Sequence, residues 1–129
     1  DVVYTKEPQE ITESLVAQLI INNKVNRAII ESNNGGRGFA RSVQRILSDV
    51  NWRKTNITTY HQSANKNTRI VTNSSNVSLN CYFCKDLNNE FMLALRTYTR
   101  EGKNKHDDAP DALTGLVEHF LDNNDFFII

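Results

Sequence analysis

Residues 25–36 carry the sequence VNRAIIESNNGG, and this stretch decides the fold class. Its apolar run is typical of a buried strand in an α/β sheet, and Asn and Gly residues then form a turn. Glu31 lies at the carboxyl end of the predicted strand, where ligands gather in open α/β sheets. A carboxylate there costs free energy unless it is solvated, paired or bound to a metal. Glu31 is therefore a candidate site residue; the alternative is that it only marks the end of the strand.

The segments around this strand alternate between strand and helix patterns. Residues 1–5 are β-branched and aromatic, which predicts a strand, and residues 57–60 predict another. Apolar residues recur at helical spacing over residues 10–22 and again after Gly36. This order predicts an α/β fold with right-handed crossovers and a single domain over residues 1–129. The apolar faces predicted for the two helices are Ile11, Leu15, Leu19 and Ile20 in the first and Phe39, Val43, Ile46 and Leu47 in the second.

The second half of the chain predicts shorter elements. A helical turn around residues 69–73 is followed by a strand or hairpin over residues 77–83. The next helix contains Phe91, Leu95 and Tyr98 and is broken by Gly102. The last helix opens at residues 107–110, where a proline suits the first turn because its missing N–H would be unpaired there. The core face predicted for this helix consists of Leu113, Leu116, Val117 and Phe120.

Charge is distributed unevenly along the chain. The 129 residues include 15 Lys and Arg against 15 Asp and Glu, so the formal net charge is zero. Residues 24–69, however, carry nine basic and two acidic side chains, a net charge of +7, whereas residues 101–129 carry two basic and seven acidic ones, a net charge of −5. Such asymmetry indicates a surface that faces a polyanion beside a cluster of carboxylates. The alternative is an uneven distribution of charge on solvated helices.

Composition excludes several classes of protein. A hydrophobic fraction of 39% with two Pro and five Gly excludes collagen-like and disordered chains. No apolar run approaches the ~20 residues of a membrane-spanning helix, and early charged residues interrupt any signal-peptide pattern. Two cysteines cannot form a disulfide scaffold, which indicates a reducing, cytoplasmic setting. Because the chain has no Walker-type glycine loop, it is not itself a nucleotide-driven motor.

An acidic segment opens the last predicted helix, where residues 106–111 are HDDAPD. On a helix, Asp107 and Asp111 share a face, as do Asp108 and Asp111. Hard carboxylate oxygens of this kind suit Mg²⁺ or Mn²⁺. The alternative is that the acids cap the helix and interact favourably with its dipole. Because capping explains only one or two of the three acids, the pattern favours a metal site.

Two further patterns concern basic residues and cysteines. Arg37, Arg41 and Arg45 repeat every four residues after Glu31. Such a stripe neutralises phosphates without reading base sequence, although a solvated helix face is the alternative. Residues 81–84 form a C-x-x-C motif in a predicted strand, without the second ligand pair that a structural zinc needs. We interpret them as two ordinary buried or half-buried cysteines.

Three segments together resemble the C-terminal nuclease domain of phage terminase large subunits. They are IIESNNGG at 29–36, NKNTRI at 65–70 and HDDAPDAL at 106–113, and their order and spacing match over nearly the whole chain. The resemblance implies an RNase H-like fold, a mixed sheet flanked by helices. It also implies an endonuclease that cuts concatemeric viral DNA during genome packaging. The implied reaction is phosphodiester hydrolysis at a two-metal site that holds Mg²⁺ or Mn²⁺.

The resemblance also implies roles for individual residues. Glu31 corresponds to the second catalytic carboxylate, and the third lies among Asp107, Asp108 and Asp111. Glu31, Asp108 and Asp111 are the expected metal ligands, with Asp107 assisting. The implied partners are double-stranded DNA, the portal and the small terminase subunit, with no membrane partner, in the host cytoplasm. The residues expected to bind DNA, two from the arginine stripe and two from the resemblance, are Arg37, Arg41, Lys66 and Arg69.

The resemblance is incomplete at the amino end. Residues 1–5 correspond to the third strand of the family's sheet, whereas the first catalytic aspartate of the family lies on the first strand and its ATPase motor lies further upstream. We therefore expect a fragment with an uncovered sheet edge, weak metal binding and poor cleavage on its own. The alternatives are another RNase H-like nuclease, such as a resolvase or transposase relative, and a non-catalytic interaction module that uses the acidic helix as a docking surface.

Overall fold

The structure, a computed structural model, describes residues 1–101 and 103–122. These residues form two compact units, the first containing Asp1 and Val3–Ser63 and the second Val2 and the described residues from Ala64 onward. Within the described part, none of the helices has the length and apolar character that a membrane span requires. The elements in chain order are α1 (Gln9–Asn22), β1 (Arg27–Glu31), α2 (Gly36–Asp49), β2 (Asn56–Tyr60), α3 (Lys66–Asn80), α4 (Asn89–Thr97) and α5 (Asp108–Asp122).

The first unit is built on two parallel strands. β1 pairs with β2 in a register that runs from Arg27 opposite Asn56 to Glu31 opposite Tyr60. Parallel strands need a long crossover connection, and α2 supplies it. This helix packs against both strands, and α1 packs against α2. The α/β class is therefore confirmed, although the sheet formed by the described residues is parallel and does not show the predicted mixed character.

The core of the first unit lies between α1 and α2. Ala17 and Ile20 of α1 pack with Val43 and Leu47 of α2, and the latter two have no exposed surface. Full burial of one such aliphatic side chain stabilises the fold by about 1.5–3 kcal/mol. At the edge of this core, the indole N–H of Trp52 donates a hydrogen bond to the Thr55 hydroxyl at 2.8 Å.

The turn between β1 and α2 depends on two glycines. Gly35 has a φ of 93°, in the left-handed region that favours glycine, and it precedes the first residue of α2. Gly36 lies directly against the end of β1. A Cβ atom on Gly36 would overlap the carbonyl oxygen of Glu31 and lie 2.8 Å from its carbonyl carbon. The two glycines therefore allow the chain to turn tightly out of β1 and into the helix.

The second unit is helical. Its α5 packs against both α3 and α4. Asn65 caps α3 by accepting a hydrogen bond from the backbone N–H of Thr68 at 3.0 Å, and Asn88 caps α4 in the same way. The buried apolar side chains of this unit are spread over all three helices: Ile70 on α3, Phe91 and Ala94 on α4, and Ala109, Leu113 and Val117 on α5.

Two predicted strands are wrong. Residues 1–6 form neither a helix nor a strand, because β propensity yields a strand only where a neighbouring strand supplies hydrogen bonds. The strand or hairpin over residues 77–83 is replaced by the long helix α3, which runs to Asn80. The face of α3 that is least exposed is partly polar. Apolar residues at helical spacing were therefore too few to indicate a helix of this length. The residues of that face are Lys66, Arg69, Ile70, Asn73 and Val77.

The predicted apolar faces of two helices are partly wrong. In α1, Ile11 and Leu15 are exposed, because the contact with α2 is made from the side of Ala17 and Ile20. In α5, Leu116 and Phe120 are about half exposed. The buried stripe of α5 runs instead through Ala109, Pro110, Leu113, Thr114 and Val117.

The C-x-x-C motif lies in a loop rather than in a strand. Cys81 is the residue that follows α3 and is half-buried, whereas Cys84 is exposed, which corrects the expectation that both cysteines are at least half-buried. Burial raises the pKa of the Cys81 thiol. Gly102, predicted to break a helix, lies outside the described residues; α4 itself ends at Thr97.

Candidate functional site

In the first unit, candidate site residues lie at the carboxyl ends of the two strands. Glu31 is the last residue of β1 and is half-buried. Beyond it, the side-chain amide N–H of Asn33 donates to the Gln62 carbonyl at 2.7 Å, which ties the ends of the two strands together. The other atom of this amide, Asn33 Oδ1, is buried without a hydrogen-bond partner among the described residues. A buried acceptor left without a partner carries a desolvation cost.

The arginine stripe lies on the exposed side of α2. Arg37, Arg41 and Arg45 are all exposed, whereas the buried residues of this helix are Ala40, Val43 and Leu47. The stripe and the buried face are therefore different faces of one helix. A row of solvated guanidinium groups can contact phosphates without any change in the core of the unit.

In the second unit, Lys66 contacts three carboxylates. Asp107 directly precedes α5, and Asp108 and Asp111 belong to its first turn. The Lys66 ammonium nitrogen lies 3.1 Å from Asp107 Oδ1, 3.2 Å from Asp108 Oδ1 and 3.4 Å from Asp111 Oδ2. Lys66 is the first residue of α3, and the Asn65 cap holds the chain at this point. The carboxylates lie at the amino end of α5, where the helix dipole also favours negative charge.

A second cation, Arg69, lies one turn further along α3 and is almost completely buried, with 6% of its side chain exposed. Its Nη1 lies 2.7 Å from Asp111 Oδ1, and its Nη2 lies 2.7 Å from Glu118 Oε2. The Nε–H also donates to Glu118 Oε2 at 3.1 Å. Asn73 completes the group by donating to Glu118 Oε1 at 3.0 Å. The structure thus gives Arg69 carboxylate partners inside the unit, and its predicted contact with DNA stays a prediction.

The carboxylates change the pKa values of two neighbouring groups. Partial burial lowers the pKa of Lys66, but hydrogen bonds to Asp107 and Asp108 and the charge of Asp111 outweigh it and raise the pKa above its ordinary value. The pKa of Tyr98 is raised by burial and by the charges of Asp107 and Asp111. The Tyr98 hydroxyl donates to Asn67 Oδ1 at 2.6 Å. In both groups the negative charge of the nearby aspartates acts together with burial on the pKa.

The donor atoms fit a hard divalent cation in kind. The Asp108 side chain is 82% exposed and that of Asp107 is 42% exposed, so their oxygens are accessible. Carboxylate oxygens are the ligands that Mg²⁺ and Mn²⁺ prefer. Within residues 1–101 and 103–122, however, no three His, Cys, Asp or Glu side chains are arranged to hold a metal ion. A metal there would have to displace Lys66 or rearrange the carboxylates.

The chain was compared with known protein families, curated proteins and solved structures. Residues 4–80 match the family described as Terminase Bacteriophage T7, Ribonuclease H-like domain. The match covers more than half of the chain. The chain belongs to this family. No curated protein and no solved structure matches it.

Membership of the T7 terminase RNase H-like family confirms the predicted resemblance and supports a nuclease role in packaging at the level of the family. The matched range spans the first unit from Tyr4 onward and the whole of α3. It includes Glu31, Lys66 and Arg69 but ends before the acidic segment at 106–111. Support for the acids of α5 therefore comes from their geometry and from the resemblance of the HDDAPDAL segment.

The structure brings five of the predicted site residues together in the second unit: Lys66, Arg69, Asp107, Asp108 and Asp111. Glu31, Arg37 and Arg41 belong to the first unit. Sequence reasoning missed Glu118, Asn73 and Tyr98. Helical spacing was a local signal for two of them. Glu118 is seven residues after Asp111, and Asn73 is four residues after Arg69. Both spacings place the two side chains on one helix face.

The raised pKa of Lys66 predicts a stability difference that disappears at high pH. We expect Lys66→Met to lower the free energy of unfolding by about 1 kcal/mol near neutral pH, a small effect because Lys66 is partly exposed. Since the folded pKa lies above the unfolded one, this contribution is complete below about pH 10.4 and declines above it. Urea unfolding from pH 7 to pH 11 measures the difference, with Lys103→Met as the control. A difference that stays constant up to pH 11 contradicts the prediction.

Proposed function

We propose that this chain acts as a metal-dependent DNA endonuclease that cuts concatemeric viral DNA during phage genome packaging. Membership of the T7 terminase RNase H-like family carries the proposal. Two local observations support it. Glu31 lies at the carboxyl end of a parallel strand, and accessible carboxylates are clustered at the amino end of α5. The proposed reaction is the hydrolysis of a phosphodiester bond.

The metals proposed for this reaction are Mg²⁺ or Mn²⁺ in a two-metal site. When bound, such ions lower the pKa of an attacking water and stabilise the charge on the leaving oxygen. Within the second unit, the acids of α5 would supply hard oxygen ligands, and Glu31 is a separate candidate ligand within the first unit. Lys66 would compensate the charge of those acids before the cation arrives, because its ammonium already lies within 3.4 Å of all three.

A cleavage assay on supercoiled DNA tests the proposal sensitively, because a single cut changes the mobility of the plasmid. The chain is expected to nick the plasmid slowly with millimolar Mn²⁺ or Mg²⁺ and not with EDTA. Glu31→Gln and Asp108→Asn are each expected to reduce nicking by about tenfold or more. Lys103→Met serves as a control that retains both acids. A chain that binds double-stranded DNA but neither binds Mn²⁺ nor nicks the plasmid would instead support a non-catalytic interaction module.

Double-stranded DNA is the proposed substrate, and the arginine stripe of α2 is the surface proposed to contact its phosphates. We expect the double variant Arg37→Gln/Arg41→Gln to bind DNA more weakly. The slope of log K against log salt concentration should decrease by about 1.8 units if each arginine neutralises one phosphate. Fluorescence anisotropy over a range of salt concentrations measures this slope.

The matched control for this prediction is Lys85→Gln/Arg96→Gln, which also removes two exposed positive charges but belongs to the second unit. It should change affinity slightly through net charge and leave the slope nearly unchanged. Equal slopes in the two double variants would contradict a specific role for the stripe.

The portal, the small terminase subunit and a location in the host cytoplasm belong to the same proposal, as partners and setting of a packaging nuclease.

A further inference from the structure

The helices α3 and α5 terminate at the same end of the second unit, because they run in the same direction. Lys66 contacts Asp111 at 3.4 Å, and seven residues further along both helices Asn73 donates to Glu118 at 3.0 Å. Four more residues along each helix bring the last residue of α5, Asp122, level with the last turn of α3. The chain therefore leaves α5 where α3 passes into the loop of residues 81–88, the 81–88 loop.

Exposed apolar side chains are concentrated at this end of the unit. Leu79 lies in the last turn of α3 and is 72% exposed, and Tyr82, in the 81–88 loop, is 94% exposed. Phe120, in the last turn of α5, is about half exposed. Single exposed apolar residues are common on proteins, but several at one end of a small unit indicate a surface that another segment covers.

A groove with a volume of about 570 Å³ is lined by the 81–88 loop and α4. This volume is within the range of about 300–1,000 Å³ that is typical of ligand-binding clefts. The lining combines apolar and basic side chains. The apolar ones are Phe83, Leu87, Met92 and Leu93, and the basic ones are Lys85 and Arg96. The groove therefore fits a segment with bulky apolar side chains and a negative charge beside them.

The residues that follow α5 in the sequence have this chemistry. Residues 123–129 are NNDFFII, so Asp125 directly precedes four consecutive large apolar residues. Seven residues can span at most ~25 Å. Phe83, in the lining of the groove, is only two residues beyond Cys81, which directly follows α3. The segment is therefore long enough to reach the groove from the end of α5.

We propose that the groove binds residues 123–129 of the same chain: the apolar residues from Phe126 onward fill it, and Asp125 pairs with its basic side chains. Burial of these apolar residues against the groove removes apolar surface of both from water, which supplies most of the binding free energy. The inference is independent of the proposed function, since it requires neither a metal nor DNA.

DNA fits the groove less well than this segment does. Asp86 follows Lys85 in the 81–88 loop, Glu90 follows Asn89 at the start of α4, and both acids are exposed. Two acids beside the lining repel a continuous row of phosphates, whereas a segment with a single acid can place it next to the lysine or the arginine.

The exposed thiol of Cys84 can report whether the groove is occupied, because it belongs to the lining. Its rate of alkylation by N-ethylmaleimide is measured by mass spectrometry in the wild-type chain and in Phe126→Ser/Phe127→Ser. The variant is expected to react about fivefold faster or more, because the segment no longer covers the thiol. Ile11→Ser/Leu15→Ser, which changes two exposed apolar residues of α1, is the matched control and should react like the wild type. Equal rates in the wild type and Phe126→Ser/Phe127→Ser would overturn the proposal.

Binding of a synthetic peptide tests the contact directly. A fluorescein-labelled peptide of residues 123–129 with an amidated end is titrated with Phe126→Ser/Phe127→Ser, and saturable binding is expected in fluorescence anisotropy. Adding Arg96→Glu to this variant should weaken binding by about tenfold, and a peptide with Asp125→Arg should recover most of the loss. A peptide that does not bind at millimolar concentration, or that binds the Arg96→Glu variant equally well, contradicts the proposal.

Protein concentration separates binding within one chain from exchange between two copies. Protection of Cys84 in the wild type should stay constant over an about hundredfold range of protein concentration, because the segment is tethered to its own groove. Protection that increases with concentration would replace this assignment by exchange between copies. If a short DNA duplex protects Cys84 in Phe126→Ser/Phe127→Ser and the peptide does not, the groove is a DNA site and the proposal is wrong.

Discussion

Replacing Arg69 with methionine is expected to lower the free energy of unfolding by about 3 kcal/mol. Only 6% of the Arg69 side chain is exposed, and its guanidinium pairs with both Asp111 and Glu118. Methionine fills a similar volume without charge, so the loss comes mainly from two carboxylates left without their partner. Asp111 is the more affected, because only 13% of its side chain is exposed to water. Urea unfolding at neutral pH, followed by circular dichroism, measures the change.

A double variant separates the effect of the unpaired charges from that of lost packing. Arg69→Met/Glu118→Gln removes one of the two uncompensated charges, and its free energy of unfolding should exceed the value expected from adding the two single changes. Arg69→Lys keeps the charge but cannot reproduce the bidentate contact, so an intermediate loss is expected. A loss below about 1 kcal/mol for Arg69→Met would show that the network contributes no more than an exposed ion pair.

Gly36→Ala is expected to destabilise the first unit by about 2 kcal/mol or more. The added methyl group would overlap the carbonyl oxygen of Glu31, which is backbone and cannot move aside like a flexible side chain. Either the end of β1 or the first turn of α2 must therefore shift. The same shift would move Glu31, so the variant should also lose nuclease activity if the proposed function holds.

Gly38→Ala is the matched control for this change. It lies two residues further along α2, and a Cβ atom there would have nothing within 4 Å. Because alanine is favoured over glycine in a helix by about 1 kcal/mol, this control should stabilise the protein slightly. Opposite signs for two glycine-to-alanine changes in one helix would tie the effect to contact with β1. The same sign for both, in thermal or urea unfolding, would contradict the argument.

The elements of the first unit that have a strong apolar period were predictable from sequence. β1, β2, α1 and α2 are all confirmed, because burial of one stripe or of a whole short strand leaves a regular pattern. α3 was not predictable at its full length, since its inward stripe includes Lys66, Arg69 and Asn73. Those polar side chains are buried or half-buried only because α5 supplies carboxylates to pair with them.

The chemistry of the candidate site was predictable in part. The acids at 107–111 and Glu31 were predictable as site residues, because clustered or strand-terminal carboxylates cost free energy unless they are solvated, paired or bound to a metal. Their individual surroundings were not predictable. Arg69 contacts Asp111 and Glu118 across 42 and 49 residues of chain, and no local spacing reports a contact over such a distance.

By itself, the sequence determined α1, β1, α2 and β2 of the first unit and the kinds of ligand available, because these follow from periodicity and side-chain chemistry. Only the tertiary structure decided which face of α1 and α5 is buried. It also decided that Arg69 is a buried partner of carboxylates and that Asp111, unlike Asp108, is enclosed by cations. The physical reason is that a helix has several faces, and its packing partner, encoded far away in the chain, selects which of them is removed from water.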